Sequence, residues 1–90
     1  MARYNAICLY IEDGDTFRTT QKNWIRLARY DAPEKGEPGY DGAKQLLFSI
    51  ILNEAIEYEP VSESYDRIVA EVWQANTNLN DIMINSGYKK

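Results

Sequence analysis

Two short acidic stretches, Asp13-Gly14-Asp15-Thr16 and Asp31-Ala32-Pro33-Glu34, hold the residues of this chain best suited to chemistry. Between them lie two strand-like segments joined by the polar turn Thr20-Gln21-Lys22-Asn23. A hairpin centred on that turn folds residue 15 back towards residues 28–31, which predicts Asp15 and Asp31 side by side. Two adjacent carboxylates repel unless positive charge lies between them, and a divalent cation is the usual solution. The chain has no His, which excludes an imidazole base, a Ser–His pair and a His-ligated zinc. Acid–base work then falls to carboxylates, Lys or Tyr, and charge stabilisation to Arg, Lys or a hard cation.

The elements that must position these groups follow from pattern. Residues 4–11 alternate as a strand, with Ile7, Leu9 and Ile11 expected on one face. Asp13-Gly14 is a hairpin signal. Thr16 to Thr20 reads as a second strand, rich in β-branched residues, and Trp24 to Tyr30 as a third. Two Gly and a Pro mark residues 35–40 as a loop. Residues 41–53 form an amphipathic helix whose stripe is Ala43, Leu46, Leu47, Ile50 and Ile51, with Asn53 as a left-handed cap. Ala55 to Val61 and Arg67 to Gln74 are a fourth and fifth strand. Leu79, Ile82, Met83 and Ser86 mark a short last helix ended by Gly87. The order predicts an α+β, mainly β, single domain over residues 1–90: a five-stranded Greek-key barrel of OB type with two helices. A small half-open sandwich is the structural alternative.

Ninety residues with 44% apolar content suit one small core. No apolar run reaches the ~20 residues needed to span a bilayer. No basic segment followed by an apolar stretch opens the chain, and Cys8 is its one cysteine. These features set the expectation of a reducing, intracellular protein, with secretion open if a leader has been removed. A monomer is the simpler expectation for its state of assembly. The net charge of −4 argues against holding nucleic acid by bulk electrostatics. It is compatible with a metal-dependent phosphodiesterase, in which part of the acidic excess is the cation site.

Each motif has a plainer reading. Asp-Gly alone is usually a turn. Asp31-Ala32-Pro33-Glu34 resembles a helix N-terminus, with Asp as cap, Pro in the first turn and Glu three residues on; Gly36, Pro38 and Gly39 would stop that helix at once. Trp24 and Trp73 suit packing better than base stacking. Arg26 poses a geometric problem: in a flat strand it would lie ~16 Å from Asp31 and point to the other face, so only a tight coil or a bulge brings both to one site.

Taken together, Asp13-Gly14-Asp15-Thr16, Ile25-Arg26-Leu27 leading to Asp31-Ala32-Pro33-Glu34, Tyr65-Asp66-Arg67, Leu79-Asn80 and Gly87 resemble the staphylococcal nuclease (thermonuclease) family over residues 7–88. The resemblance implies an OB-type barrel that hydrolyses phosphodiester bonds in DNA and RNA with Ca2+. It makes Asp15 and Asp31 calcium ligands, with the backbone carbonyl of Ala32, and puts Asp13 near the ion without direct contact. It makes Glu34 the residue that activates the attacking water. Arg26 and Arg67 become the pair that grips the phosphate, and Tyr65 a neighbour of the substrate phosphate. The chain departs from the family's pattern at Asp66, where Gly is common, and that carboxylate borders Arg67. The alternatives are a non-catalytic module of the same fold binding nucleic acid or protein, and a calcium site that serves stability alone.

Overall fold

A computed structural model of the chain describes residues 3–64 and 66–90. It is mainly β, with two helices. The elements run β1 (Tyr4–Asp13), β2 (Thr16–Thr19), β3 (Trp24–Leu27), α1 (Tyr40–Ile51), β4 (Ala55–Ser64), β5 (Arg67–Gln74), β6 (Thr77–Asn78) and α2 (Leu79–Ile84). The strands pair in the order β3-β2-β1-β4-β5-β6. A parallel pairing of β3 with β5, Ile25 opposite Ile68 and Leu27 opposite Ala70, closes the sheet on itself; the other pairings are antiparallel. Closure leaves few free edges to template aggregation. The two-residue strand β6 was not expected. No helix among the described residues is long and apolar enough to cross a membrane.

Strands β1, β2 and β3 each begin on an aromatic or β-branched residue, Tyr4, Thr16 and Trp24, yet β1 breaks simple alternation. Cys8 pairs Thr19 and Tyr10 pairs Arg18; Ile11 pairs Phe17 and Asp13 pairs Thr16. Leu9 and Glu12 are thus one residue too many against β2, and each such bulge turns the strand by a residue. Cys8 and Ile11 both point inward, at 0% and 3% exposure, while Ile7 and Leu9 are 44% and 54% exposed. This corrects the expected apolar face of β1.

Inside the sheet lie Phe17, Ile25, Leu27, Ile56, Ala70 and Val72, capped by Leu47 and Ile51 of α1 and Leu79 and Met83 of α2. Burying such side chains is worth roughly 1.5–3 kcal/mol each. Helix α1 ends as its sequence suggests, with Asn53 at φ 62° and its N–H bonded to the Cys8 carbonyl at 2.8 Å. Gly14 owes its identity to close approach rather than to a turn. A Cβ there would lie 2.6 Å from the Cβ of Ala43 in α1 and 3.1 Å from that of Ala32. The glycine lets helix, turn and the Asp31–Glu34 loop meet.

Candidate active site

Strand β3 stops at Leu27, three residues before the expected end. The Ala28 N–H bonds the Ala70 carbonyl at 2.9 Å, and Arg29 then takes φ 65°, which turns the chain back. A non-glycine residue in that region is costly and needs support. Arg29 finds it in a two-pronged pair with Glu71, both bonds 2.7 Å, and in Asp81 at 3.0 Å. On the other side the buried amide of Asn80 donates to the carbonyls of Ala28, at 2.9 Å, and Ala70, at 3.0 Å. Its oxygen accepts the Val72 N–H at 2.8 Å. Asn80 so fills the gap on the β5 edge between Ala70, where β3 leaves, and Trp73, where β6 joins.

This reversal solves the problem posed by Arg26. The loop after Arg29 returns Asp31 to the side of the strand that Arg26 faces, and Arg26 Nη2 lies 2.9 Å from Asp31 Oδ1 and 3.5 Å from Asp15 Oδ2. Asp15 is well held: its carboxylate also accepts the Thr16 hydroxyl at 2.9 Å and the Ala32 N–H at 3.1 Å, and its carbonyl accepts the Leu27 N–H at 2.8 Å. Asp15 and Asp31 do converge on one charge, and that charge is the Arg26 guanidinium. Asp31-Ala32-Pro33-Glu34 caps no helix, since α1 begins only at Tyr40.

A cleft of about 380 Å³ gathers Asp13, Asp15, Arg26, Asp31, Ala32, Glu34 and Arg67, with Pro33 and Lys90 completing its wall. Every site residue named from sequence lines it except Tyr65, which lies outside the described residues. No sequence pattern points to Lys90 as a member of this cleft. Its ammonium lies 3.0 Å from Glu34 Oε1, and its N–H bonds the Asp31 carbonyl at 3.2 Å. That hydrogen bond with Glu34 raises the Lys90 pKa above the ordinary lysine value. The tail is seated upstream as well: Tyr30 donates to the Tyr88 carbonyl, and the Tyr88 ring packs on Gly42 where a Cβ would have no room.

In its chemistry the cleft combines oxygen donors for a hard cation with guanidinium groups for an oxyanion. No cluster of three or more acidic, His or Cys side chains arranged for a metal occurs among the described residues.

Residues 24–90 match the family described as staphylococcal nuclease homologue. The chain belongs to that family. The matched segment carries Arg26, Asp31, Ala32, Glu34, Tyr65, Arg67 and Asn80, whereas Asp13 and Asp15 precede it. No curated protein matches the chain. Membership in the staphylococcal nuclease homologues suggests nuclease-like action on nucleic acid, and it agrees with a closed, mainly β sheet carrying two helices.

Proposed function

We propose that this protein is a Ca2+-dependent phosphodiesterase that hydrolyses DNA and RNA, on a closed sheet of the OB, Greek-key type. The observation that carries the reading is the single cleft in which Asp15, Asp31, Glu34, Arg26 and Arg67 meet. Scattered surface charges would have no reason to converge there.

The roles follow from side-chain chemistry. Asp15, Asp31 and the Ala32 carbonyl would hold the calcium ion, with Asp13 adding negative charge nearby. When bound, the ion neutralises charge on a phosphate oxygen and lowers the cost of charge build-up. Arg26 and Arg67 offer planar donors that match the non-bridging oxygens. Glu34, exposed at the rim of the cleft, orients the attacking water and accepts its proton. The phosphate drawing on Arg26 loosens its hold on Asp31, because that ion pair is exposed and weak. Tyr65 is assigned to the substrate phosphate on the family pattern.

The test is a fluorogenic single-stranded oligonucleotide assay, run with calcium and with chelator. Cleavage should need the ion. Glu34→Ala should lower kcat by roughly 10²–10⁴-fold, the usual worth of a positioned general base. Arg26→Ala should cost roughly 10²–10³-fold, as for other groups that stabilise a developing oxyanion. Homogeneous protein that leaves the oligonucleotide intact in millimolar calcium sinks the proposal.

A further inference from the structure

Trp24 is half-buried and lies outside the apolar core. Its β3 neighbour Ile25 is fully buried, so Trp24 faces outward, as does Arg26 two residues on. Strand register sets Tyr10, Arg18, Trp24 and Arg67 in one row across four strands: Tyr10 opposite Arg18, Arg18 opposite Trp24, Trp24 opposite Arg67. The Tyr10 ring meets the indole edge-on at 6.2 Å, and the Arg18 guanidinium lies 5.4 Å from the indole centre. A hollow of about 160 Å³, lined by Glu12, Trp24, Asp66 and Arg67, borders this row. Arg67 lines both that hollow and the catalytic cleft.

We infer that Trp24 is a stacking platform for one unpaired base of the substrate strand, on the nucleotide next to the bond to be cut. The inference rests on the nucleic-acid reading above and adds a subsite to it. Continuity is its main argument: a strand whose phosphate reaches Arg26 and Arg67 has Trp24 within ~7 Å of Arg26 along the same strand face. Chemistry is the second. An indole beside two guanidinium groups is the combination that single-strand binders use, with the ring for the base and the cations for the backbone. Glu12 and Asp66 repel a phosphate from the hollow, yet they accept from the exocyclic amino groups of bases. At 5.4 Å the Arg18 contact is loose, so a base takes its place on the ring while the guanidinium turns to a phosphate. A paired base cannot lie flat on the indole, so the subsite favours single strands.

The test is equilibrium binding of a short fluorescent single-stranded oligonucleotide in chelator, beside steady-state cleavage in calcium. Trp24→Ala should weaken binding about 5- to 150-fold, the range for one base–aromatic stack, while Trp24→Phe keeps most of it. The salt dependence should not change, because no phosphate contact is lost. An oligonucleotide abasic at the stacked position should bind both proteins alike. With Trp73→Phe making Trp24 the one tryptophan left, saturating oligonucleotide should quench its emission. In calcium, KM should rise and kcat hold. Tyr10→Ala, at a half-exposed ring, gives a milder loss of the same kind should Trp24→Ala unfold. Equal affinity of Trp24→Ala and the parent, a loss that persists on the abasic strand, or unquenched Trp24 emission overturns the subsite. Binding with quenching but no cleavage would overturn the hydrolase and leave the platform standing. Cleavage with an unchanged KM in Trp24→Ala would do the reverse.

Discussion

Asn80→Ala should be among the most damaging single changes outside the cleft. Its side chain is fully buried and makes three hydrogen bonds, to Val72, Ala28 and Ala70. Ala70 keeps the Ala28 N–H as a second partner after truncation, so its loss is small. The Val72 N–H and the Ala28 carbonyl lose the partner that Asn80 provides inside the fold. Each such group costs roughly 1–3 kcal/mol, so about 4 kcal/mol in all is expected. A domain of this size holds only some 5–13 kcal/mol in total. With a urea slope of about 2 kcal/mol/M, the midpoint should fall by about 2 M. Asn80→Asp should do no better, since a carboxylate still accepts from Val72 but cannot donate to two carbonyls. The loop that returns Asp31 to Arg26 hangs on Ala28, so activity should fail at temperatures where the variant still looks folded. A midpoint shift under about 0.5 M with an unchanged slope would show that water replaces the amide at little cost, and would refute the accounting.

Other perturbations test separate links. Gly14→Ala should destabilise by about 1–3 kcal/mol in thermal melts, because the new methyl meets Ala43 and Ala32 at 2.6 and 3.1 Å. Arg29 holds the Glu71 carboxyl below its ordinary pKa of 4.5, through the paired hydrogen bonds. A lowered acid contributes stability above pH 4.5 that is lost as pH falls through the depressed value, so acid melts should show that loss and Arg29→Met should flatten it. Burial pushes the Cys8 thiol up to about 11, so a disulfide-exchange reagent at pH 8 should label it only once urea unfolds the chain.

How much of this was legible in the sequence depends on whether a feature is local. Residue types at Asp15, Asp31, Glu34, Arg26 and Arg67 are readable directly, and the strand from Arg67 to Gln74 and the cap at Asn53 follow from propensity and pattern. The bulges at Leu9 and Glu12 are not readable, because they exist only against β2, and they reverse the inward set of β1. The early end of β3 is hidden for a similar reason. Arg29 shows no turn signal; its left-handed backbone is stabilised by Glu71 and Asp81, more than forty residues away. Gly14 reads as a turn residue, whereas packing against α1 is what demands it. Leu79-Asn80 stands out in the sequence only through the family resemblance, and what the Asn80 amide does is hidden until β5 and Ala28 lie beside it.

Arg26 joins both halves of the site, and its substitution should move two properties in opposite directions. The sequence suggests that a metal ion reconciles Asp15 with Asp31; in the fold a guanidinium does so, supported by Thr16 and the Ala32 N–H at Asp15. The carboxylates are therefore assembled by the chain's own bonds, and on the proposed function a calcium ion would have to displace Arg26 to use Asp31 fully. Arg26→Ala removes that competitor. The 2.9 Å pair involves an Asp31 side chain that is 61% exposed, so it is worth only about 0.2–1 kcal/mol. Calcium should accordingly bind Arg26→Ala about 1.4- to 5-fold more tightly, seen as a larger rise in melting temperature at a fixed calcium concentration. Phosphodiester cleavage by the same variant should collapse, because the proposed function makes Arg26 the group that meets the phosphate. Weaker calcium binding in Arg26→Ala would mean that the guanidinium organises the carboxylates for the ion rather than competing with it, and the assignment of Arg26 as a displaceable counter-ion would fall.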